Sequence, residues 1–380
     1  MKYCKKCVYP ISAVNLLIED DGICTSCKSF SGFEKISEDG WKKRKDKLFK
    51  LINEVKKDKS NYDCIIPVSG GKDSYFQTHV LVKEFNLKPL LVTYHGNNYL
   101  PEGDYNRDMM RKNFDADHII WGPSVEVLKK LNRIGFKKMG DMNWHAHCGI
   151  FTSPFIIAKS FNIPLIFYGE TSWDISGMYD PNDFNEFSAR ERHEHDLRGY
   201  EWNDFLNDKE DKLNENDLMW AKYPHDEDIL KVGIRGIFLG NYVKWDPNEH
   251  AKKMQSLYNW KQAEKPFERT YRLMSNLDDR YENGVHDLMK FIKFGYGRCS
   301  DHASKDIRTN YLTRDEGIKL VLKYDHIISK DLFHWLDYVK MSEDEFWNIA
   351  DTFRDPRVWN IENNSWKKHD IDGSTRSYGL

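Results

Sequence analysis

The stretch whose reading decides the fold is Tyr62–Phe85, "YDCIIPVSGGKDSYFQTHVLVKEF". An apolar run is followed by a turn on Gly70 and Gly71 and then by a helical pattern starting near Ser74. Paired glycines permit positive φ and close backbone approach, and the first N–H groups of a helix are free to bind an anion. The stretch therefore reads as a phosphate-holding loop between a strand and a helix. It is not a Walker A loop, because Ile66 stands where a glycine is needed and Asp73, not Ser or Thr, follows Lys72. A G-x-G-x-x-G fingerprint is also absent. The bland alternative is a glycine turn capped by Asp73 or Ser74 at a helix start.

Outward from the loop, short apolar runs alternate with helical patterns. Strands are expected at Asp63–Val68, Pro89–Tyr94, His118–Trp121, Pro164–Tyr168 and Gly236–Leu239. Helices are expected at Tyr75–Phe85, Asp104–Asn113, Val125–Met139 and Ile150–Phe161. Continuous apolar strands alternating with helices argue for a doubly wound, mostly parallel α/β sheet with ligands beyond the carboxyl ends of its strands. The expected organisation is a ribbon at 1–35, an α/β domain at 36–245 with a charged helical insertion or lid at 183–231, a helical substrate-binding part at 246–355, and a loosely ordered tail at 356–380.

Composition sets bounds on function. The 380 residues carry a net charge of −3, with 40% hydrophobic and 31% charged residues. No run approaches the ~18 apolar residues of a membrane span, and the start lacks a secretory apolar segment, so a cytoplasmic place is expected. A basic excess is missing, which argues against a nucleic-acid partner. The lysine-rich run Lys42–Lys47 reads as a solvated helix face.

Seven cysteines make a disulfide framework the wrong expectation. Four form Cys4-x-x-Cys7 and Cys24-x-x-Cys27, the spacing of a closed structural Zn²⁺ site, with an iron–sulfur cluster as the competitor. Between the pairs a short hairpin is expected, turning at Asp21-Gly22. Cys64, Cys148 and Cys299 read as buried small hydrophobes.

Ser69–Ser74, S-G-G-x-D-S, resembles the PP-loop of the ATP pyrophosphatase superfamily, whose fold is adenine nucleotide alpha-hydrolase-like. The resemblance implies cleavage of ATP to AMP and pyrophosphate. Ser69, Gly70, Gly71 and Ser74 would cradle the pyrophosphate, Lys72 would add a charge, and Asp73 would hold Mg²⁺. The ribbon, "YDCIIPVSGGKDS", "IPLIFYGE", "FLGNYVKWDP" and "FIKFGYGRCSDHASKDIRTNYLTRDEGIKLVLKYD" occur in this order. Together they are similar to the N-acetyl sugar amidotransferase family of bacterial surface glycan biosynthesis, which serves pseudaminic- or legionaminic-type sugars and O-antigen. That resemblance implies adenylation of an acetamido oxygen on an N-acetylated, nucleotide-linked sugar. Ammonia from separate glutaminase and barrel subunits then displaces AMP to leave an acetamidino group. The chain shows no glutaminase elbow of its own, such as G-x-C-x-G around Cys148. The alternatives are PP-loop tRNA thiolation and a non-catalytic nucleotide-binding subunit.

Further site residues are assigned by position and chemistry. Glu170 follows a strand and is expected to act as a base or magnesium ligand; Asp174 follows it closely. His145 and His147, beside Cys148 and just before a helix, have no fourth partner nearby for a second metal and are expected at the substrate or in simple packing. His193 and His195, in the charged insertion, are expected in solvent. Lys293, Tyr296, Arg298, His302 and Arg308 gather around the glycines 295 and 297 and would bind the anionic parts of the sugar nucleotide. Asp278, Asp279 and His286 are expected along the same cleft.

Overall fold

A computed structural model of the protein describes residues 1–55, 61–96, 99–169, 180, 182–279 and 281–378. The central strand β1 (Cys64–Pro67) has no polar side chain to turn toward water, and it is covered on both sides. Cys64 and Ile66 face one cluster with helices α2 (Glu38–Val55) and α3 (Lys72–His79), while Ile65 faces the other. Fully burying each such side chain is worth about 1.5–3 kcal/mol, which explains why the run is apolar throughout.

β2 (Pro89–Tyr94), β3 (Asp117–Trp121), β4 (Leu165–Tyr168), β5 (Glu186–Phe187) and β6 (Arg235–Phe238) complete a six-stranded sheet in the order β3-β2-β1-β4-β6-β5. All neighbours are parallel except β5, which pairs antiparallel with β6. The chain runs outward from β1 to β3 and then crosses back to β4 on the other side of β1. The loops leaving β1 and β4 therefore diverge and open a crevice at their carboxyl ends.

α4 (Pro101–Phe114) and α5 (Val125–Met139) lie at the β3 side in sequence, and α6 (Trp144–Phe161) packs its Phe151, Phe155 and Ala158 on the second face of the sheet. α6 begins earlier than its apolar pattern suggests, so His145, His147 and Cys148 sit in its first turns and not before a helix. The described residues contain no helix long and apolar enough to cross a membrane.

The charged segment expected as a helical insertion or lid is helical only in short pieces: it contributes β5, a helical stretch at Ala189–Asp196, 3₁₀ turns at Trp202–Phe205 and Glu215–Ala221, and α7 (Asp226–Val232). Its Leu197, Phe205, Leu213, Leu218 and Trp220 share one apolar cluster with Trp144 and Leu131, and the Trp144 and Phe205 rings are 3.9 Å apart. These anchors follow no helical period, so the charged residues between them hide the packing in the sequence. The segment is a fixed layer over α5 and α6.

α8 (Pro247–Tyr258) returns to pack against α3. Beyond it come α9 (Glu282–Phe294), α10 (Arg298–Arg308), α11 (Arg314–Tyr324), α12 (Asp331–Val339) and α13 (Glu343–Ala350). The expected loose tail is a three-stranded antiparallel meander: β7 (Trp359–Glu362), β8 (Ser365–His369) and β9 (Thr375–Tyr378). Asn363 and Asn364 take positive φ of 52° and 56°, as a tight hairpin requires, and Trp359 packs on Phe291 of α9. Polar residues on the solvated face of such a sheet gave it the composition of a disordered tail.

Candidate functional site

The loop after β1 starts with Ser69, and Gly70 takes φ +84° with its α-carbon pressed on the backbone of Arg107. A side chain at Gly70 would stand 2.6 Å from the Arg107 nitrogen, so only glycine fits. The helix begins at Lys72, directly after Gly71, two residues before the expected start. Ser69 and Ser74 brace the turn. The Ser69 N–H donates to Ser74 Oγ at 3.0 Å, and the Gly71 N–H donates to Ser69 Oγ at 3.3 Å. Lys72 Nζ donates to Asp73 Oδ2 at 2.8 Å. Burial works to raise the Asp73 carboxyl, but the Lys72 charge and the His250 hydrogen bond outweigh it and hold the group well below the usual range.

Ser69, Gly71, Lys72, Asp73 and Ser74 line a cavity of about 550 Å³ at the carboxyl ends of β1, β2 and β4. Its other walls come from the start of α6, with His145 and His147, and from Met274–Asp279, Glu282, His286 and Arg298. More than half of the chain separates the loop from the last of these, and the topology brings them together.

His145 is fully buried and uses both ring nitrogens. Nδ1 lies 3.0 Å from the Tyr94 hydroxyl and Nε2 lies 2.8 Å from Glu282 Oε2. The second Glu282 oxygen accepts from Asn132 Nδ2 at 3.1 Å, and Asn132 Oδ1 accepts from Trp335 Nε1 at 2.8 Å. A polar chain thus runs from the cavity into the core with every member paired. Asp279 caps α9, accepting from the N–H groups of Tyr281, Glu282 and Asn283 at 2.8, 2.9 and 3.0 Å. Burial, together with the Glu282 charge, still pushes its carboxyl well above the ordinary value. His147 is lowered to about 3, chiefly by burial and then by neighbouring His286 and His195. His286 is also held low by burial and by Arg198, and its Nδ1 lies 3.0 Å from Asp141. At neutral pH these two imidazoles are uncharged.

Of the five residues assigned around Gly295 and Gly297, only Arg298 reaches the cavity. It sits at the first turn of α10, its Nε donating to Asp287 Oδ1 at 2.9 Å. His302 lies one turn, about 6 Å, further along the helix and pairs with Thr270 Oγ1 at 2.6 Å. Lys293 donates to the Met139 carbonyl at 2.7 Å, and Tyr296 accepts from the Val14 N–H at 3.3 Å and packs edge-on against Tyr9. Arg308 is buried, with its guanidinium 5.9 Å from the Tyr9 ring centroid. These four support the wall and do not line it. Glu170 and Asp174 lie outside the described residues; Gly169, just before Glu170, lines the cavity. His195 is half-buried, 3.3 Å from Asn15, and not a free solvent group.

Sequence reading missed Tyr94, Glu282 and His250. Glu282 stood in the flagged stretch with Asp278 and Asp279 but looked like a helix-start acid. No local signal sets His250 against Asp73, whose Oδ1 lies 2.8 Å from its Nδ1.

Separately, Cys4, Cys7, Cys24 and Cys27 bring their sulfurs within 4.8 Å of one another, all buried. Cys4 Sγ accepts backbone N–H groups from Lys6, Cys7 and Cys24 at 3.4, 3.5 and 3.3 Å, as a thiolate does. The Cys7 and Cys24 sulfurs are 3.7 Å apart, and a tetrahedron with metal–sulfur bonds of about 2.3 Å has an edge of roughly 3.8 Å. The set fits a tetrahedral metal ion. The expected hairpin appears as single bridges, Tyr3 to Pro10 and Ile18 to Cys24, with Gly22 at φ +82°. Cys148 is buried beside Thr152 and the Ala221 carbonyl, and burial pushes its thiol up to about 11.

The fold and site define a mostly parallel, doubly wound α/β protein with a glycine loop after its central strand and a four-cysteine ribbon. Residues 268–370 match the family model of the LPS biosynthesis protein WbpG-like, C-terminal domain, and take in the whole Phe291–Asp325 block, the last of the stretches that carry the resemblance read from the sequence. A stretch of 118 residues is 26% identical to "Uncharacterized protein MJ1599" of Methanocaldococcus jannaschii, covering 31% of this chain and 41% of that relative's length. Among solved structures, the U34-tRNA thiolase NcsA from Methanococcus maripaludis with its [4Fe-4S] cluster aligns over 82% of this chain and 86% of its own, at 14% identity and a TM-score of 0.33. NMN synthetase from Francisella tularensis aligns over 60% and 98%, at 11% identity and a TM-score of 0.30.

Proposed function

We propose that the protein is an ATP-dependent amidotransferase that converts an acetamido group of an N-acetylated, nucleotide-linked sugar to an acetamidino group. The observation that carries this reading is the shared cavity. The S-G-G-x-D-S loop and Arg298, from the segment that matches the WbpG-like domain, face the same space of about 550 Å³. That volume sits within the ~300–1,000 Å³ of ordinary small-molecule sites.

In this reading the loop N–H groups, Ser69, Ser74 and Lys72 hold the pyrophosphate of ATP, leaving the α-phosphorus open on the cavity side. The sugar amide oxygen attacks that phosphorus and pyrophosphate leaves. Ammonia then adds to the imidate carbon, loses a proton, and AMP departs with the original oxygen. Mg²⁺ would neutralise the phosphate charge, and Asp73, held ionised and facing the cavity, suits a hard divalent cation. Arg298 offers a cation for the diphosphate or carboxylate of the substrate. The four cysteines would hold Zn²⁺ as a folding element, since a closed four-sulfur set leaves no position for substrate. Ammonia would come from separate glutaminase and barrel subunits. Against the thiolation alternative, no cysteine stands among the described residues that line the cavity.

The test is incubation with ATP, an ammonium salt and nucleotide-linked diacetamido sugars. A sugar lighter by about one mass unit, oxygen exchanged for NH, together with equal AMP and pyrophosphate, is the expected outcome. Hydrolysis of ATP with an unmodified sugar, or tRNA thiolation by the same preparation, would sink the proposal.

A further inference from the structure

His250 enters no part of the chemistry above, yet it is buried against the phosphate loop. α8 starts on an N-cap, Asp246, whose carboxylate accepts from the Asn248 and Glu249 N–H groups at 2.9 and 3.3 Å, with Pro247 at the first helical position. His250 falls on the first turn, facing α3. Its ring lies flat on Phe76, with centroids 3.6 Å apart and planes within 13°, and Trp245 meets it edge-on at 4.6 Å. Those contacts leave the ring no freedom to turn.

The hydrogen bonds then decide the tautomer. The Asp246 N–H donates to His250 Nε2 at 3.3 Å, so Nε2 is the acceptor. The ring proton sits on Nδ1 and donates to Asp73 Oδ1 at 2.8 Å. Asp73 is therefore gripped at both oxygens, by Lys72 on Oδ2 and by His250 on Oδ1. At the end of the same helix Trp260 Nε1 donates to the Gly70 carbonyl at 2.9 Å. α8 and its following turn thus hold the loop at its glycine and at its aspartate.

We propose that His250, donating from Nδ1, is the positioning residue that fixes the Asp73 carboxylate toward the cavity for a divalent cation carried by the nucleotide phosphates. The inference rests on the ATP reading of the loop. Without the second grip, Asp73 is left to pair with Lys72 alone and can rotate toward it. Each carboxylate oxygen keeps a further lone pair, so the two grips orient the group without blocking it.

The variants that test this are His250→Phe, which keeps a flat ring on Phe76 and removes the donor, and His250→Asn, whose side-chain amide nitrogen takes the place of Nδ1. Binding of α,β-methylene-ATP is measured by calorimetry with Mg²⁺ and with EDTA, and Mn²⁺ binding to the same complex by electron paramagnetic resonance. A charge-assisted bond of this kind is worth about tenfold or more in affinity. His250→Phe is expected to weaken metal-dependent binding of the analogue and Mn²⁺ by about tenfold, while affinity in EDTA stays within about twofold. His250→Asn is expected to recover most of the loss. If His250→Phe binds Mn²⁺ as the parent protein does, or if the two variants lose equally, the inference falls and the ring is only packing. A parent protein that binds no analogue in either condition overturns the ATP reading as well.

Discussion

The two facing walls of the cavity are built in opposite ways. One is the loop Ser69–Ser74, a run of consecutive residues that turns on its own glycines into the start of α3 and is held from outside by His250 and Trp260. The other has its polar groups on β2, α6, α9 and α10, and holds them by pairs such as His145 with Glu282 and Arg298 with Asp287. A local wall concentrates function in side chains that the fold can spare. A composite wall uses the same side chains for function and for joining its elements.

That contrast is open to breaking. The largest effect is expected at Asp73→Ala, which should lower AMP and pyrophosphate production by about a thousandfold, the scale of losing a preorganised electrostatic partner. Its thermal melt should fall less than that of a change at Glu282, because the Asp73 side chain is 34% exposed and that of Glu282 only 3%. A large drop in melting temperature would show that the loop, too, carries the fold. Next comes Glu282→Ala on the opposite wall. Removing one member of a buried pair commonly costs about 3–5 kcal/mol, so urea unfolding should register a loss of that order before any assay of turnover. Unchanged stability there would erase the distinction between the walls.

The smallest effect sharpens the comparison through pH. His147 is held at about 3, chiefly by burial, against about 6.5 when unfolded. A folded state that keeps this imidazole neutral has its full stability above pH ~6.5 and loses it progressively as pH falls toward ~3. Urea midpoints taken at pH 7 and pH 4.5 should fall less for His147→Asn than for the parent protein. Equal declines would mean that other groups carry the acid sensitivity of this wall.

How much was legible beforehand follows the same division. β2 and α5 appear at the limits expected for them, and β1, β3, β4 and β6 differ from expectation by one residue at one end or both, because each apolar period is written in consecutive residues. The charged segment after Asp183 and the polar tail were misjudged for one reason. Composition describes what faces water, whereas Phe205, Trp220 and Trp359 decide where those segments pack. Of the residues assigned in the Lys293–Arg308 block, Arg298 lines the cavity and the other four do not. Charge in a sequence does not say which side of a helix reaches a ligand and which side meets Thr270 or Met139.

By itself, then, the sequence determined the phosphate loop, the alternating α/β order and the four-cysteine spacing, all patterns whose meaning lies within a few neighbouring residues. Only the tertiary structure decided that Glu282 meets His145, that His250 grips Asp73, and that residues between Met274 and Arg298 wall the cavity opposite the loop. Such contacts join residues far apart in the chain. They are selected by burial and by pairing of polar groups once the sheet has formed, and neither leaves a local trace.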